Sequence, residues 1–361
     1  MPDAPVISGG GGVHPANASV PTSGSILLVR ASRNNATGAP FITLSENAAV
    51  RGLTFFWPDS SPLEAPVPYP WAIDLVGGNA AVLDVLLLNP WDGIRSIGFP
   101  RHYIARVQGQ PAHIGLFIDS CYDIGRVEDV HWMHFYSDHP DYLAFLGTEG
   151  TGFIVGRSDW EYFYGTFVFE MAVGYHFIKT ATGVANGEFT GIGADACQNA
   201  SVLVDDVASE GVLLTGGEFT SFAQKPNVPD VGAMTQIIVN ATNSGALRFV
   251  NCAFWGPSAS IARVEGTGSV GFDSCIFVTW DGRPANESTH SAAAIDVGGG
   301  DLLVRGCDFQ SNHSGGQALL REGTGRVIFT ENLVAGTLNV TNLGASVAIV
   351  NNNAPQVPSS L

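Results

Sequence analysis

Four carboxylates, Asp119, Asp159, Glu161 and Glu188, lie in a part of the chain that is also rich in imidazole, indole and phenol rings. Two carboxyl groups held about 5 to 5.5 Å or about 6.5 to 9.5 Å apart hydrolyse a glycosidic bond with retention or inversion, respectively. Crowding two acids also raises one of their pKa values, which supplies a protonated general acid near neutrality. Around these acids stand His131, Arg157, Trp160, Tyr162, His176, Lys179, His139 and Tyr142. Such residues suit a sugar-binding cleft, because pyranose C–H faces stack on rings while hydroxyls need paired donors and acceptors. Lys179, Arg157, a His or a Tyr would instead serve as the base of an elimination beside a uronate carboxylate. Any solvent-facing sheet carries polar side chains, but like charges on adjacent strands destabilise it, so acids repeated without intervening lysines call for a reason.

A six-residue register brings these residues together: apolar, any, polar or small, small or apolar, any, aromatic or aliphatic. It can be read eleven times, from Val50-Arg-Gly-Leu-Thr-Phe55 to a truncated Ile349-Val-Asn-Asn352, at steps of about 30 residues. Between them lie Val127-Glu-Asp-Val-His-Trp132, Val155-Gly-Arg-Ser-Asp-Trp160, Val184-Ala-Asn-Gly-Glu-Phe189 and Leu214-Thr-Gly-Gly-Glu-Phe219. A second apolar run precedes most copies, as in Ala72-Ile-Asp-Leu75, Val202-Leu-Val-Asp205 and Ile237-Ile-Val-Asn240, and no stretch keeps a helical period for long. Three short strands per unit, stacked at about 4.8 Å, predict a single-stranded right-handed parallel β-helix of about 10–11 coils. A β-propeller needs longer units with four strands each.

In that fold the fifth positions, His131, Asp159, Glu188 and Glu218, stack as one outward column, and Glu161 points outward two positions further on. Trp132, Trp160, Phe189, Phe219, Phe254, Phe277 and Phe309 become an internal ladder, and Cys252, Cys275 and Cys307 a second one. The helix is expected over 26–355, between a disordered or truncated tail at 1–25 and a tail at 356–361. Inward Cys is read chiefly as a small packed hydrophobe. No Cys-X-X-Cys or His-X₃-His spacing supports a metal site, so no metal is expected.

The net charge of −17 argues against nucleic acid and anionic membranes as partners, leaving a polysaccharide as the expected one. No run of about 18 apolar residues exists to span a bilayer. Seven Asn-X-Ser/Thr sequons, at Asn17, Asn35, Asn199, Asn240, Asn286, Asn312 and Asn339, favour a secreted glycoprotein.

The rungs Phe249-Val-Asn-Cys-Ala-Phe254 and Val304-Arg-Gly-Cys-Asp-Phe309 resemble those of the pectin-lyase-like superfamily, and the resemblance spans about residues 40–355. It implies a polysaccharide hydrolase or lyase, with Ca²⁺ as cofactor only in the lyase case, or a non-catalytic glycan-binding solenoid. The Asn-Thr-Asp, Gly-His-Gly and Arg-Ile-Lys motifs of polygalacturonase-type enzymes are missing, so no catalytic residue carries over. The oligomeric state is left open.

Overall fold

Short β-branched and aromatic runs broken by Gly, Asn and Asp form two long sheets in which every strand pair is parallel. The computed structural model describes residues 24–60, 65–133, 139–220, 234–256, 258–280, 293–310, 316–345 and the backbone of 347–353. Almost all of the two expected tails, the sequons at Asn17, Asn286 and Asn312, and the ring-rich stretch 134–138 lie outside the described residues.

The smaller sheet holds 12 strands in strict chain order, from Ile42–Leu44 to Val340–Asn342, so each strand adds one rung. The larger holds 20, because most coils contribute a strand on either side of a bend. Some coils run through the bend unbroken, as in Tyr103–Gly109 and Arg126–Trp132; others split, as in Glu161–Tyr164 followed by Phe167–Phe169. Three strand segments per coil and lateral parallel pairing make the molecule a parallel β-helix.

One residue per coil sets the bend by adopting positive φ: Gly52, Asp84, Arg106, Asp129, Gly165, Gly191, Gly216, Asn251, Ser274, Gly306 and Glu331, with φ of 70° at Gly52 and between 52° and 63° at the rest. An L-residue in this conformation costs about 1 kcal/mol or more, which explains the Gly, Asn and Asp there. Eight of the eleven occupy the third position of the register read from sequence. The exceptions correct that reading. The coil bending at Arg106 was missed, and the bends expected at Arg157 and Asn186 lie at Gly165 and Gly191. Val155 ends the strand Thr151–Val155 of the other sheet, and Phe189 stands before its bend rather than after it. The Val-x-x-Ser-x-Trp and Val-x-x-Gly-x-Phe strings imitate the repeat because a β-helix uses the same small-residue bends at all its corners.

Two apolar columns fill the interior. Before the bend come Val127, Phe163, Phe189, Leu214, Phe249, Phe272, Val304 and Phe329; after it come Trp132, Val168, Ala194, Phe219, Phe254, Phe277, Phe309 and Val334. All of these are buried. Phe189 therefore belongs to the first column and Trp160 to neither, being 64% exposed. Successive rings stack closely, with Phe277 and Phe309 at 4.5 Å and 8°. Truncating a ring in the middle of such a stack leaves a cavity that rigid coils cannot close. Phe277→Ala is therefore expected to cost about 3–5 kcal/mol in denaturant titration, with no change in the far-ultraviolet spectrum of the folded protein.

Cys252, Cys275 and Cys307 form the expected column as buried free thiols. The column continues into Asn332, whose Oδ1 accepts the Cys307 amide at 2.8 Å and whose Nδ2 donates to the Val304 carbonyl. One element escaped the sequence reading: the helix Pro140–Glu149, begun by Pro140 and capped by the His139 imidazole, which accepts from the Asp141 amide. It buries Tyr142 and Leu146 against the coils.

Candidate functional site

Three consecutive bends, Gly165, Gly191 and Gly216, carry no side chain, whereas the bends on either side of them are Asp129 and Asn251. Just beyond, the outward positions of four neighbouring strands form two columns: Phe167, Gly193, Glu218, Ala253 and Phe169, Asp195, Thr220, Trp255. Gly193 leaves a gap in the first; a Cβ there would lie 2.6 Å from the Phe167 ring. Loss of these side chains opens a groove of about 300 Å³, with Asp195, Glu218 and Thr220 among its lining and Phe167 and Trp255 as aromatic walls.

Elsewhere on the helix several outward acids are matched by cations one coil away. Asp74 pairs with Arg95 at 2.5 Å, Asp84 with Arg106 at 2.5 Å, Asp206 with Lys179 at 2.8 Å, and Asp273 with Arg305. Among the described residues, neither Asp195 nor Glu218 has such a partner. Burial, reinforced by the neighbouring carboxylates of Glu170 and Glu218, pushes Asp195 up to about 6. Asp195 Oδ1 and the hydroxyl of Thr220, a residue only 3% exposed, also lack a hydrogen-bond partner among the described residues. Unpaired acids and an unsatisfied hydroxyl in one concave place are what a ligand with hydroxyl groups would satisfy.

The residues singled out from sequence do not converge on this groove. The expected column of His131, Asp159, Glu188 and Glu218 does not form. His131 neighbours Phe167, and Glu218 lies two rungs further along that line. Glu188 lies on the other side of the bend between Tyr162 and Leu213, exposed. Asp159 sits on a corner, bound to Arg157 at 2.8 Å and to the Asn186 amide at 3.4 Å. Asp119 is consumed by a corner too, accepting from the Arg157 amide at 2.8 Å and the Thr180 hydroxyl at 2.9 Å.

The proposed binding residues are likewise dispersed. Burial holds the His131 imidazole below its ordinary pKa, against a smaller upward pull from Asp129, and its ring packs edge-on against Phe167. His139 caps a helix, Tyr142 is wholly buried, His176 bonds Asp205 at 3.0 Å and Lys179 bonds Asp206. Arg157 lies over the Tyr122 ring at 5.6 Å. Tyr162 is exposed, and so is Trp160, against its expected place in the internal ladder; Tyr122 and Tyr164 are exposed aromatic side chains as well. Tyr164 directly precedes Gly165, so this surface adjoins the groove.

The largest correction concerns Glu161, which is wholly buried rather than outward. Its Oε1 meets His102 Nε2 at 3.0 Å, and its Oε2 accepts from the Ser158 hydroxyl at 2.5 Å. Ser96 Oγ lies 3.3 Å from His102 Nδ1, and the buried thiol of Cys121 completes the cluster. His102 and Glu161 stand two rungs apart, linked through the backbone of Gly125, whose amide neighbours Arg126 and Tyr162 bond to His102 O and Gly125 O. They touch because Gly125 has no side chain: a Cβ there would fall 2.3 Å from His102 Cε1 and 2.4 Å from Glu161 Oε2. Burial works to lower the His102 pKa, but the Glu161 carboxylate and Cys121 outweigh it, and the imidazole is pushed up to about 10.

No protein-family model matches the chain, and no curated protein resembles it in sequence. Among solved structures, it is similar to the Streptococcus pneumoniae surface protein and adhesin PfbA, with a TM-score of 0.42 and 10% identity over 91% of this chain and 89% of that one. The fold assignment rests on the chain's own parallel register. No helix among the described residues is long and apolar enough to cross a membrane.

Proposed function

We propose that the protein is an extracellular carbohydrate-active β-helix whose groove binds a neutral polysaccharide and hydrolyses it. The observation that carries this reading is Asp195, an acid held at about 6 beside two further carboxylates in a groove with aromatic walls. Asp195 protonates the glycosidic oxygen. Glu218 takes a proton from the water that adds to the anomeric carbon. The two acids occupy diagonal positions on adjacent strands, with their Cα atoms about 7–8 Å apart; carboxyl groups held about 6.5–9.5 Å apart leave room for that water and give inversion. Export is supported by the sequons at Asn35, Asn199 and Asn339, which are exposed.

A uronic-acid lyase is less well supported. Among the described residues, no Lys or Arg lines the groove to receive a uronate. Lys179 and Arg157, the bases considered from sequence, are each committed to an aspartate elsewhere. Binding without cleavage is favoured by one feature, the exposed rings of Trp160, Tyr162 and Tyr164 adjoining the groove, which would hold a chain by stacking alone.

The test is incubation with neutral glucans, xylans and mannans, and with polygalacturonate, while reducing ends, unsaturated ends and anomeric proton signals are followed. Hydrolysis with inversion on a neutral glycan is the expected result. Unsaturated ends would establish the lyase, and binding without new ends would establish a lectin-like role. Trp255→Ala is expected to weaken glycan binding by about tenfold, the equivalent of about 1.4 kcal/mol of ring stacking, in affinity electrophoresis or calorimetry.

A further inference from the structure

We propose that His102, Cys121 and Glu161 form a buried site for one divalent transition-metal ion of the zinc class, a site independent of the groove. Their ligand atoms all lie within 4.8 Å of one another, and each side chain is buried. Bonds of about 2.0–2.3 Å at tetrahedral angles place donor atoms roughly 3.3–3.8 Å apart, so a cation enters with small side-chain shifts. The His102 to Glu161 contact, at 3.0 Å, is already near that separation. One imidazole, one thiolate and one carboxylate favour zinc, cobalt or iron over calcium or magnesium, which take oxygen alone.

The surroundings are those of a held ligand set. Ser96 engages His102 Nδ1 and so leaves Nε2 facing the cluster; Ser158 engages Glu161 Oε2 and leaves Oε1 facing it. Apart from its contact with His102, the Cys121 thiol makes, among the described residues, a single long approach, 3.9 Å to the Asp123 carbonyl. The three ligands come from successive coils: His102 before the strand Tyr103–Gly109, Cys121 after Ile114–Asp119 and Glu161 at the start of Glu161–Tyr164. A metal here staples three rungs together. Ligands so spread show no local spacing motif, which is why no metal was expected from the sequence.

The experiment uses the full chain, refolded from denaturant with Zn²⁺ or Co²⁺ and freed of loose metal by gel filtration. Expected are about one equivalent of bound metal, a near-ultraviolet thiolate-to-cobalt absorption, and a melting temperature raised by Zn²⁺ but not by Ca²⁺ or Mg²⁺. Cys121→Ser should lose the thiolate band and hold at least about tenfold less metal, while remaining folded because serine is nearly isosteric. Less than roughly a tenth of an equivalent on the wild type would overturn the proposal, leaving the cluster a buried ion pair. Metal retained equally by wild type and Cys121→Ser would overturn it as well, since the ion would then sit elsewhere. Metal content and spectrum do not depend on glycan cleavage, so failure here leaves the groove reading untouched.

Discussion

Asp195→Asn abolishes glycan cleavage and at the same time makes the folded protein harder to denature above pH 6. Loss of a general acid lowers turnover by about 10²–10⁴-fold, because amide cannot protonate the leaving oxygen. The stability gain follows from linkage. Burial and the carboxylates of Glu170 and Glu218 raise Asp195 from 3.8 to about 6 in the folded state. Between these values the folded protein holds a proton that the unfolded chain has released, so wild-type stability falls as pH rises through the interval and stays lower above it. Asparagine carries no such penalty. At about pH 8 the variant should be more stable by about 1–3 kcal/mol, the upper figure being two pKa units and the lower allowing for solvent reaching the half-buried side chain. At about pH 3 both proteins carry a neutral group and should unfold alike. Cleavage by the wild type should decline as pH rises through about 6, as the acid loses its proton. Urea titrations at the two pH values, with reducing-end assays alongside, check each part. Equal stability at both pH values, or activity within tenfold of wild type, would remove Asp195 from the role.

That the chain coils could be read from the spacing of small bend residues alone, because an 11-fold repetition of the same corner leaves a strong periodic mark. Eight corners were placed to the residue. The candidate groove was harder to see, since it is made by side chains that are missing. Gly165, Gly191 and Gly216 look like ordinary turn formers one at a time, and only their succession on three coils removes the wall between Phe167 and Glu218. Shifting two rungs of the register moved Asp159 and Glu188 into a column that they do not share, and hid Asp195, which had no place in the misaligned copies. Aligning Phe163-Tyr-Gly-Thr-Phe-Val168 and Phe189-Thr-Gly-Ile-Gly-Ala194 with Leu214-Thr-Gly-Gly-Glu-Phe219 would have exposed both the glycines and the acids after them. Burial of Glu161 had no comparable signal. An alternating in–out count places it by parity from the nearest bend, and the repeat string marks that bend at Arg157 rather than Gly165.

Glu161→Ala is expected to destabilise the protein by about 3–5 kcal/mol, whereas Asp159→Asn, two residues away, should change stability by less than about 1 kcal/mol. The difference lies in what each carboxylate leaves behind. Asp159 is partly exposed and its partner Arg157 remains in reach of water, at 28% side-chain exposure, so the loss is that of a surface ion pair. Glu161 is the counter-charge of a His102 side chain that is 1% exposed, and its other partner, the Ser158 hydroxyl, is neutral and cannot replace it. Removing the carboxylate strands the imidazole in apolar surroundings, so that it must give up its proton or open the coil to water. Gly125→Ala probes the same contact from the other side, since its methyl group would intrude between the two residues without altering either. Guanidinium titrations of the three variants separate the cases. Wild-type stability in Glu161→Ala would mean that His102 is neutral and content without a partner, and the cluster would then be packing rather than charge. If Glu161→Ala and Gly125→Ala are both strongly destabilised while Asp159→Asn is not, the polar centre of these three coils is the buried pair, and the acid once read as facing solvent is part of what holds the coils in register.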